Sequence, residues 1–346
     1  MATQSEYDTY YETHSIYQSN ELGTGSGVGE FDKKRLSDFS LMISEHFRDR
    51  ATTILDVGCA NGGLLCELRT LGYTDITGMD PAEPCVRNVR NRGIKGIIGR
   101  IHPEGGCIQA LTETRFDLII MTGVLEHIRD LQGAVEFLTT NLRPDGCAFI
   151  RVPDATRYSS HYLLPYYYFD IEHINHFGHN DLLNLFCTQG FDLLASGAVD
   201  FSVSHQLSYP DIYAVFRRSP AANWGIRYSG ATKCSIIDFI HRSDADDYGM
   251  TSLKELYASQ EAAVVWGAGM NTYRLLASSL LGKCNIAAFV DGEVGKQGQI
   301  LMGKPIVPPE FLYDFKGPVL LCTAFYNDQI EQKLNHLRLP NRLIRL

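Results

Sequence analysis

From Thr53 to Asp80 the chain reads TILDVGCANGGLLCELRTLGYTDITGMD. Ile54, Leu55 and Val57 make a short apolar run of the kind needed by a strand buried on both faces. Gly58, Gly62 and Gly63 then remove side chains where the chain must turn tightly and let a ligand approach the backbone. Leucines at 64, 65, 68 and 71 recur at helical spacing, and Gly72 follows as a C-cap. A second apolar run, residues 76–79, ends at Asp80, whose carboxylate could accept hydrogen bonds from a ribose. The stretch predicts strand, glycine turn, helix, strand and acid, so the fold is expected to be α/β.

A dinucleotide site would place G-x-G-x-x-G at the turn, with the pyrophosphate on the helix N-terminus. Here the string is Asp56-Val-Gly58-Cys-Ala60-Asn61-Gly62, with an acid before the turn and wider glycine spacing. It resembles motif I of the class I S-adenosylmethionine (SAM) methyltransferases, D/E-x-G-x-G/A-x-G. SAM has no phosphate, so an acid near its sulfonium and amino groups is tolerable. An ordinary βαβ unit with a glycine turn is the alternative.

Composition is that of a globular protein. The 346 residues are 45% hydrophobic and 21% charged, with no apolar run long enough to span a membrane. At this length two domains are the default. A net charge of −9 argues against a broad nucleic-acid-binding surface. The first residues, MATQSEYDTYYETHSIY, lack a basic segment followed by an apolar one, so no secretory signal is expected. None of the nine cysteines forms C-x-x-C, and they read as small core hydrophobes of a reducing, cytoplasmic compartment.

Residues 1–50 hold a tyrosine cluster that includes Tyr17, a glycine-rich stretch at 23–29 and an amphipathic helix over 32–47. Such a segment is expected to act as a lid hinged at the glycines, or as a surface arm. A helix over 84–92 and a strand over 96–101 come after Asp80. The buried strand Phe116-Asp-Leu-Ile-Ile-Met121 then runs into Thr122-Gly-Val-Leu-Glu-His127. Strand ends are where open α/β sheets bind their ligands. Glu126 or His127 faces either the site or solvent. A helix over 131–142, the turn Arg143-Pro-Asp-Gly146 and a strand over 147–152 follow. Closing strands are expected over 191–195 and 209–216, with a domain boundary near 219 and a helical connection over 220–260.

The alternation of strands and helices, with V-L-E-H after the fourth strand and L-R-P-D-G before the fifth, also resembles the class I methyltransferases. The resemblance implies SAM as cofactor, held by Asp56, Gly58, Ala60, Asn61, Gly62, Asp80 and Thr122. The domain is expected over residues 51–219.

Between strand five and the closing hairpin lies Tyr166-Tyr-Tyr-Phe-Asp170-Ile-Glu172-His173-Ile-Asn-His176-Phe-Gly-His179. Histidines at i, i+3 and i+6 cannot all face one point on a helix, so no metal site is expected. A neutral histidine can act as general base, oriented by a carboxylate; Glu172-His173 would be that pair. The string resembles the E-H-x-x-Y-F-S region of the sugar C-methyltransferases, which methylate C3 of nucleotide-bound 4-keto-deoxysugars. That resemblance implies His173 as base, Glu172 orienting it and His127 assisting; Tyr17 from the tyrosine cluster and Asp170 and His176 from this segment are expected as substrate contacts. The family's tyrosine two places before the glutamate is Asp170 here, and its Y-F-S is His176-Phe177-Gly178. O-methylation of a hydroxyl would need the same base.

Residues 261–346 repeat the pattern of strand, glycine turn and helix at Ala262-Ala-Val-Val-Trp-Gly267-Ala-Gly269, with a strand over 286–290 ending at Asp291. Thr272 holds the place of a third glycine, which weakens an NAD reading. The turn Val290-Asp-Gly-Glu-Val-Gly-Lys296-Gln-Gly298 and the later Ile306-Val-Pro-Pro-Glu310 resemble the C-terminal domain of the same sugar enzymes. Gly267, Gly269 and Lys296 would then contact the diphosphate of a nucleotide-sugar gripped between the domains. A purely structural role, including support of a homodimer, is the alternative.

Overall fold

The computed structural model describes residues 9, 29–101, 111, 114–169, 172–203, 207–219, 225–246, 249–323, 326–336 and 338–346. The chain forms two compact units. One runs to His161 and resumes over Ile171–Phe239, and the other comprises Tyr162–Asp170 with Ile240–Leu346.

The first unit is built on a seven-stranded sheet. Its strands are β1 (Ile54–Val57), β2 (Ile76–Asp80), β3 (Lys95–Ile98), β4 (Phe116–Thr122), β5 (Leu142–Pro153), β6 (Phe191–Ser202) and β7 (Ser208–Arg218), in the order β3-β2-β1-β4-β5-β7-β6. The first five are parallel, whereas β7 runs antiparallel to both β5 and β6. Every residue of β1 and β2 is buried, the polar Asp56, Thr77 and Asp80 included. The helices are α1 (Glu30–His46), α2 (Gly63–Thr70), α3 (Glu83–Asn91), α4 (Leu131–Asn141) and α5 (His179–Cys187). The ends of α1 to α4 agree with the sequence expectations to within about two residues.

Three expectations change. The strand expected over 96–101 is Lys95–Ile98. The turn expected at 143–146 lies inside β5 as a bulge, because Phe116 pairs with Leu142 and Leu118 already pairs with Cys147. Of the closing hairpin, β7 exceeds its expected span of 209–216 by one residue at the start and two at the end, whereas β6 runs far past 191–195 to Ser202. From Gly197 onward the residues of β6 alternate between half-buried and exposed, so hydropathy alone truncates it.

The helical part of the expected lid is α1, and it belongs to the core. Leu36, Phe39 and Ile43 form one buried stripe that packs with Leu64, Leu65 and Leu68 of α2. The Arg151 guanidinium lies 3.9 Å from the centre of the Phe39 ring and pairs with the fully buried Asp211. Tyr17 lies outside the described residues.

The boundary expected near 219 moves into α6 (Ala231–Ala245), between Phe239 and Ile240. Arg227 exchanges two hydrogen bonds with Asn184, Thr232 donates to Asp181, and buried Phe239 packs edge-on against Tyr158. These contacts hold the helix's first turns on the first unit. Farther along, Ser243 accepts from the Tyr166 amide, Tyr166 donates to Asp244 and Tyr162 donates to Asp246. The Ser219-Pro220 break is thus no domain end.

The second unit has α7 (Met250–Ser259), α8 (Met270–Ser278) and α9 (Asn327–His336) around a six-stranded sheet. Its strands β8 (Ala263–Trp266), β9 (Ile286–Val290), β10 (Ile300–Leu301), β11 (Lys304–Val307), β12 (Val319–Leu321) and β13 (Leu343–Arg345) lie in the order β10-β11-β9-β8-β12-β13. Two cores flank this sheet, one centred on Val265 and Phe289, the other on Val264 and Val290. Among the described residues, no helix is long and apolar enough to cross a membrane.

Candidate functional site

The carboxyl ends of β1, β2 and β4 converge, since β1 is hydrogen-bonded between the other two. The chain leaves β1 at Gly58, where φ is +70° and a Cβ would sit 2.7 Å from Val124 Cγ2. Gly62, with φ +76°, starts α2, and a Cβ there would sit 2.9 Å from Val89 Cγ2. Only glycine meets both demands, a left-handed backbone and no side chain. The Gly58 and Cys59 amides donate to Met79 O, at 2.8 and 3.1 Å. Asn61 is buried, and its Oδ1 accepts from Asn88 Nδ2.

Asp80 braces this loop. Its Oδ2 accepts from the Ala60 amide at 2.9 Å and its Oδ1 from the Ala82 amide at 2.8 Å. Burial pushes its pKa up to about 6, against the opposing pull of those two amides. Asp56 differs. It is 2% exposed, and among the described residues no hydrogen-bond donor reaches its carboxylate. Burial, and then the charge of Asp80, push its pKa up to about 8. Two buried acids, one without a donor among the described residues, favour a positively charged ligand at this end of the sheet. Thr122 closes β4 on the same edge, half-buried.

Beyond β4 the chain makes a short 3-10 turn, Leu125–His127. The segment after β5 crosses it: the Ile174 and Asn175 amides donate to Glu126 O at 2.9 and 3.1 Å, and Asn175 Nδ2 donates to Leu125 O and Ile128 O. This stitching brings His173 against His127, with ring centres 4.8 Å apart and planes at 78°. His127 Nδ1 lies 3.0 Å from Glu172 O, a geometry that puts the proton on Nδ1 and leaves Nε2 as the acceptor. The His127 pKa is pushed down to about 3, first by burial and then by His173, against the Glu172 carbonyl.

Two expectations are corrected here. Glu172 meets His127 through its main-chain oxygen, and the carboxylate brought to the imidazoles is that of Glu126. Glu126 is 2% exposed, so it faces inward. One oxygen of Glu126 and one nitrogen each of His127 and His173 lie within 4.8 Å of one another, a donor set that could hold a metal ion. The histidines spaced by three diverge: His176 Nδ1 lies 3.2 Å from Tyr158 Oη, and His179 Nε2 lies 2.8 Å from Ser196 Oγ. Asp170 lies outside the described residues. Sequence reasoning left open whether Glu126 faces the site or solvent and gave it no role; its signals were its place after a buried strand and the V-L-E-H string.

The second unit repeats the brace. Gly267, with φ +105°, donates to Val290 O, and the Ala268 amide donates to Asp291 Oδ2 at 2.9 Å. Gly269 begins α8, and buried Thr272 donates its hydroxyl to Gly267 O. Lys296 departs from expectation, because its Nζ lies 2.8 Å from Glu293 and 3.4 Å from Asp291. Burial alone would lower the Lys296 pKa, but Glu293 and Asp291 raise it overall. Its charge is already balanced, which opposes a role as a diphosphate ligand.

Residues 28–196 match the methyltransferase domain family, and residues 259–344 match a family described as C2185-like, N-terminal. Ubiquinone biosynthesis O-methyltransferase of Methylobacterium nodulans is 28% identical over 140 residues, which cover 38% of this chain and 55% of that protein. The mitochondrial protein of that name from Bos taurus is 31% identical over 113 residues, 31% of this chain and 30% of its own length. The chain spans about half the length, or less, of the curated relatives it matches. The structure of the PH0226 protein from Pyrococcus horikoshii is 15% identical with a TM-score of 0.45, covering 63% of this chain and 100% of that one. Magnesium protoporphyrin IX methyltransferase from Synechocystis, solved with bound SAM, is 14% identical with a TM-score of 0.43, covering 63% and 98%.

Proposed function

Residues 28–196 are a class I SAM-dependent methyltransferase domain, and on that premise we propose that the chain methylates a small molecule, a sugar carried on a nucleotide. The observation that carries the reading is the pairing of His127 with His173 on the same sheet edge as Asp56 and Asp80. The sugar rests on the resemblance of Glu172-His173 and of the turn at 290–298 to the sugar C-methyltransferases.

Bound at the glycine turn, SAM supplies a methyl group made electrophilic by its sulfonium. The Asp56 carboxylate offsets positive charge in a buried pocket. Each Asp80 oxygen, already accepting one amide, keeps a lone pair for a ribose hydroxyl. His173 takes the proton from the acceptor, alpha to a ketone in the C-methylation reading. The electron pair so freed on the carbon would take the methyl, the carbon–sulfur pair staying with sulfur in S-adenosylhomocysteine. His127, its Nδ1 proton held by Glu172 O, stays neutral and does not compete for that proton. The Glu126 carboxyl, within 4.8 Å of both imidazoles, stands where it would balance the imidazolium as it forms.

Methylation of a hydroxyl is the second reading. It is favoured by the similarity to ubiquinone O-methyltransferases and by the Glu126, His127 and His173 donor set, since a bound divalent ion would acidify a hydroxyl. A thermal-shift screen tests both, with SAM, S-adenosylhomocysteine, NADH and UDP-, dTDP-, GDP- and CDP-sugars. Stabilisation by SAM with a further shift from one nucleotide is the expected result. A shift with NADH and none with any sugar nucleotide would overturn the sugar assignment. Absence of a SAM shift would overturn the cofactor assignment.

A further inference from the structure

The two acids of the cofactor end differ in a way that a bound cation must resolve. Asp80 has a donor on each oxygen, supplied by the turn after β1 and by the start of α3. Its negative charge is therefore solvated by the protein itself. Asp56 lies on the adjacent strand, is less accessible still, and receives no donor among the described residues. The titratable groups that act on this pair are few. Asp80 from β2 acts on Asp56, and the thiols of Cys59, on the glycine turn, and Cys85, on α3, lie in the same electrostatic cluster. Both thiols are held well above their ordinary range by burial and stay neutral. Among the described residues nothing in that cluster is positive. An ionised Asp56 would then be a buried charge with neither donor nor counterion, a state that proteins avoid by protonation.

We propose that Asp56 is protonated in the ligand-free protein and gives up its proton when the cofactor's positive charge arrives, so that cofactor binding is linked to the release of one proton. The inference rests on the SAM reading of this site. The balance is simple: the carboxylic acid and the ligand cation become a carboxylate–cation pair, and the proton passes to solvent. The upward displacement of Asp56, to about 8, agrees with this order of events. Cofactor affinity would consequently rise with pH over the range in which the ligand's own amino group remains protonated.

Calorimetric titration of the full chain with SAM, and separately with S-adenosylhomocysteine, tests this. Repeating each titration at pH 6.5 in buffers of different ionisation enthalpy gives the number of protons exchanged. About one proton should leave per ligand bound in the wild type, and about none in Asp56→Asn. If that variant does not fold, the wild type alone decides, because its affinity should increase about fourfold between pH 6.5 and 7.25. Binding with no proton released, or equal release in the wild type and in a folded Asp56→Asn, overturns the linkage while leaving the cofactor assignment intact. Failure of both ligands to bind overturns the cofactor assignment and the linkage with it.

Discussion

Replacing Gly58 by alanine should damage the first unit through two separable causes. The left-handed backbone at φ +70° costs an L-residue about 1–2 kcal/mol. The added Cβ would sit 2.7 Å from Val124 Cγ2, well inside the ordinary carbon–carbon contact of about 3.5–4.0 Å. Val124 is itself buried and β-branched, so it has no easy alternative rotamer, and relief of the overlap costs a further 1–3 kcal/mol or so. The sum is about 2–5 kcal/mol. Hydrogen exchange at the β1 and β2 amides measures the opening of this unit without reference to the second. Removing the obstacle separates the causes: in Gly58→Ala/Val124→Ala the overlap is gone and the backbone strain stays. A double-mutant cycle should therefore return a coupling of about 1–3 kcal/mol. A coupling near zero, or a Gly58→Ala protein as stable as the wild type, would refute the packing argument for this turn.

His173→Ala should leave SAM affinity nearly unchanged and reduce turnover by roughly 10²-fold or more, the usual scale for a general base; an unchanged rate removes His173 from the mechanism. Asp80→Ala should weaken SAM binding and also loosen the turn, since the Ala60 and Ala82 amides lose their acceptors at a cost of about 1–3 kcal/mol each. Normal SAM affinity in that variant would place the ribose elsewhere. Stability of the ligand-free protein should fall as pH rises. An acid whose folded-state pKa lies above its unfolded value stabilises the native state below the unfolded pKa and loses that contribution as pH rises through the folded one. For Asp56 the window runs from 3.8 to about 8. Between pH 5 and 7.5 the wild type should lose about 3 kcal/mol relative to Asp56→Asn in chemical denaturation, and a pH-independent difference would contradict a buried, uncompensated Asp56.

Much of the cofactor end was legible in the order of residues. An apolar run, a cluster of glycines, leucines at helical spacing and an acid at the next strand's end are all local signals. They lie within one βαβ unit, and the structure returns them as β1, the turn, α2 and β2 with Asp80 at its end. The same local logic located β8, α8 and β9 of the second unit. Local signals failed where a face or a partner is set at a distance. The helix over 32–47 is amphipathic whether it serves as a lid or packs in a core, and only its contacts with α2 and Arg151 decide. Ser219-Pro220 looks like a domain end until Arg227, Thr232 and Phe239 are seen to dock on the first unit. Lys296 looks like a ready cation until Glu293 and Asp291 are found beside it.

The sequence by itself determined the kind of domain and the turn where its ligand would lie, because a strand, its glycine turn and its helix are specified by neighbours in the chain. The tertiary structure alone decided which groups stand together at the candidate site. His127 and His173 come from segments that share no periodicity. They meet only because main-chain amides at 174 and 175 find the Glu126 carbonyl across the sheet edge. Glu126 becomes a site group for the same reason, since that crossing segment is what buries it. Hydrogen bonds between distant loops leave no pattern in the spacing of residues, and here they determine which carboxylate stands beside the histidines.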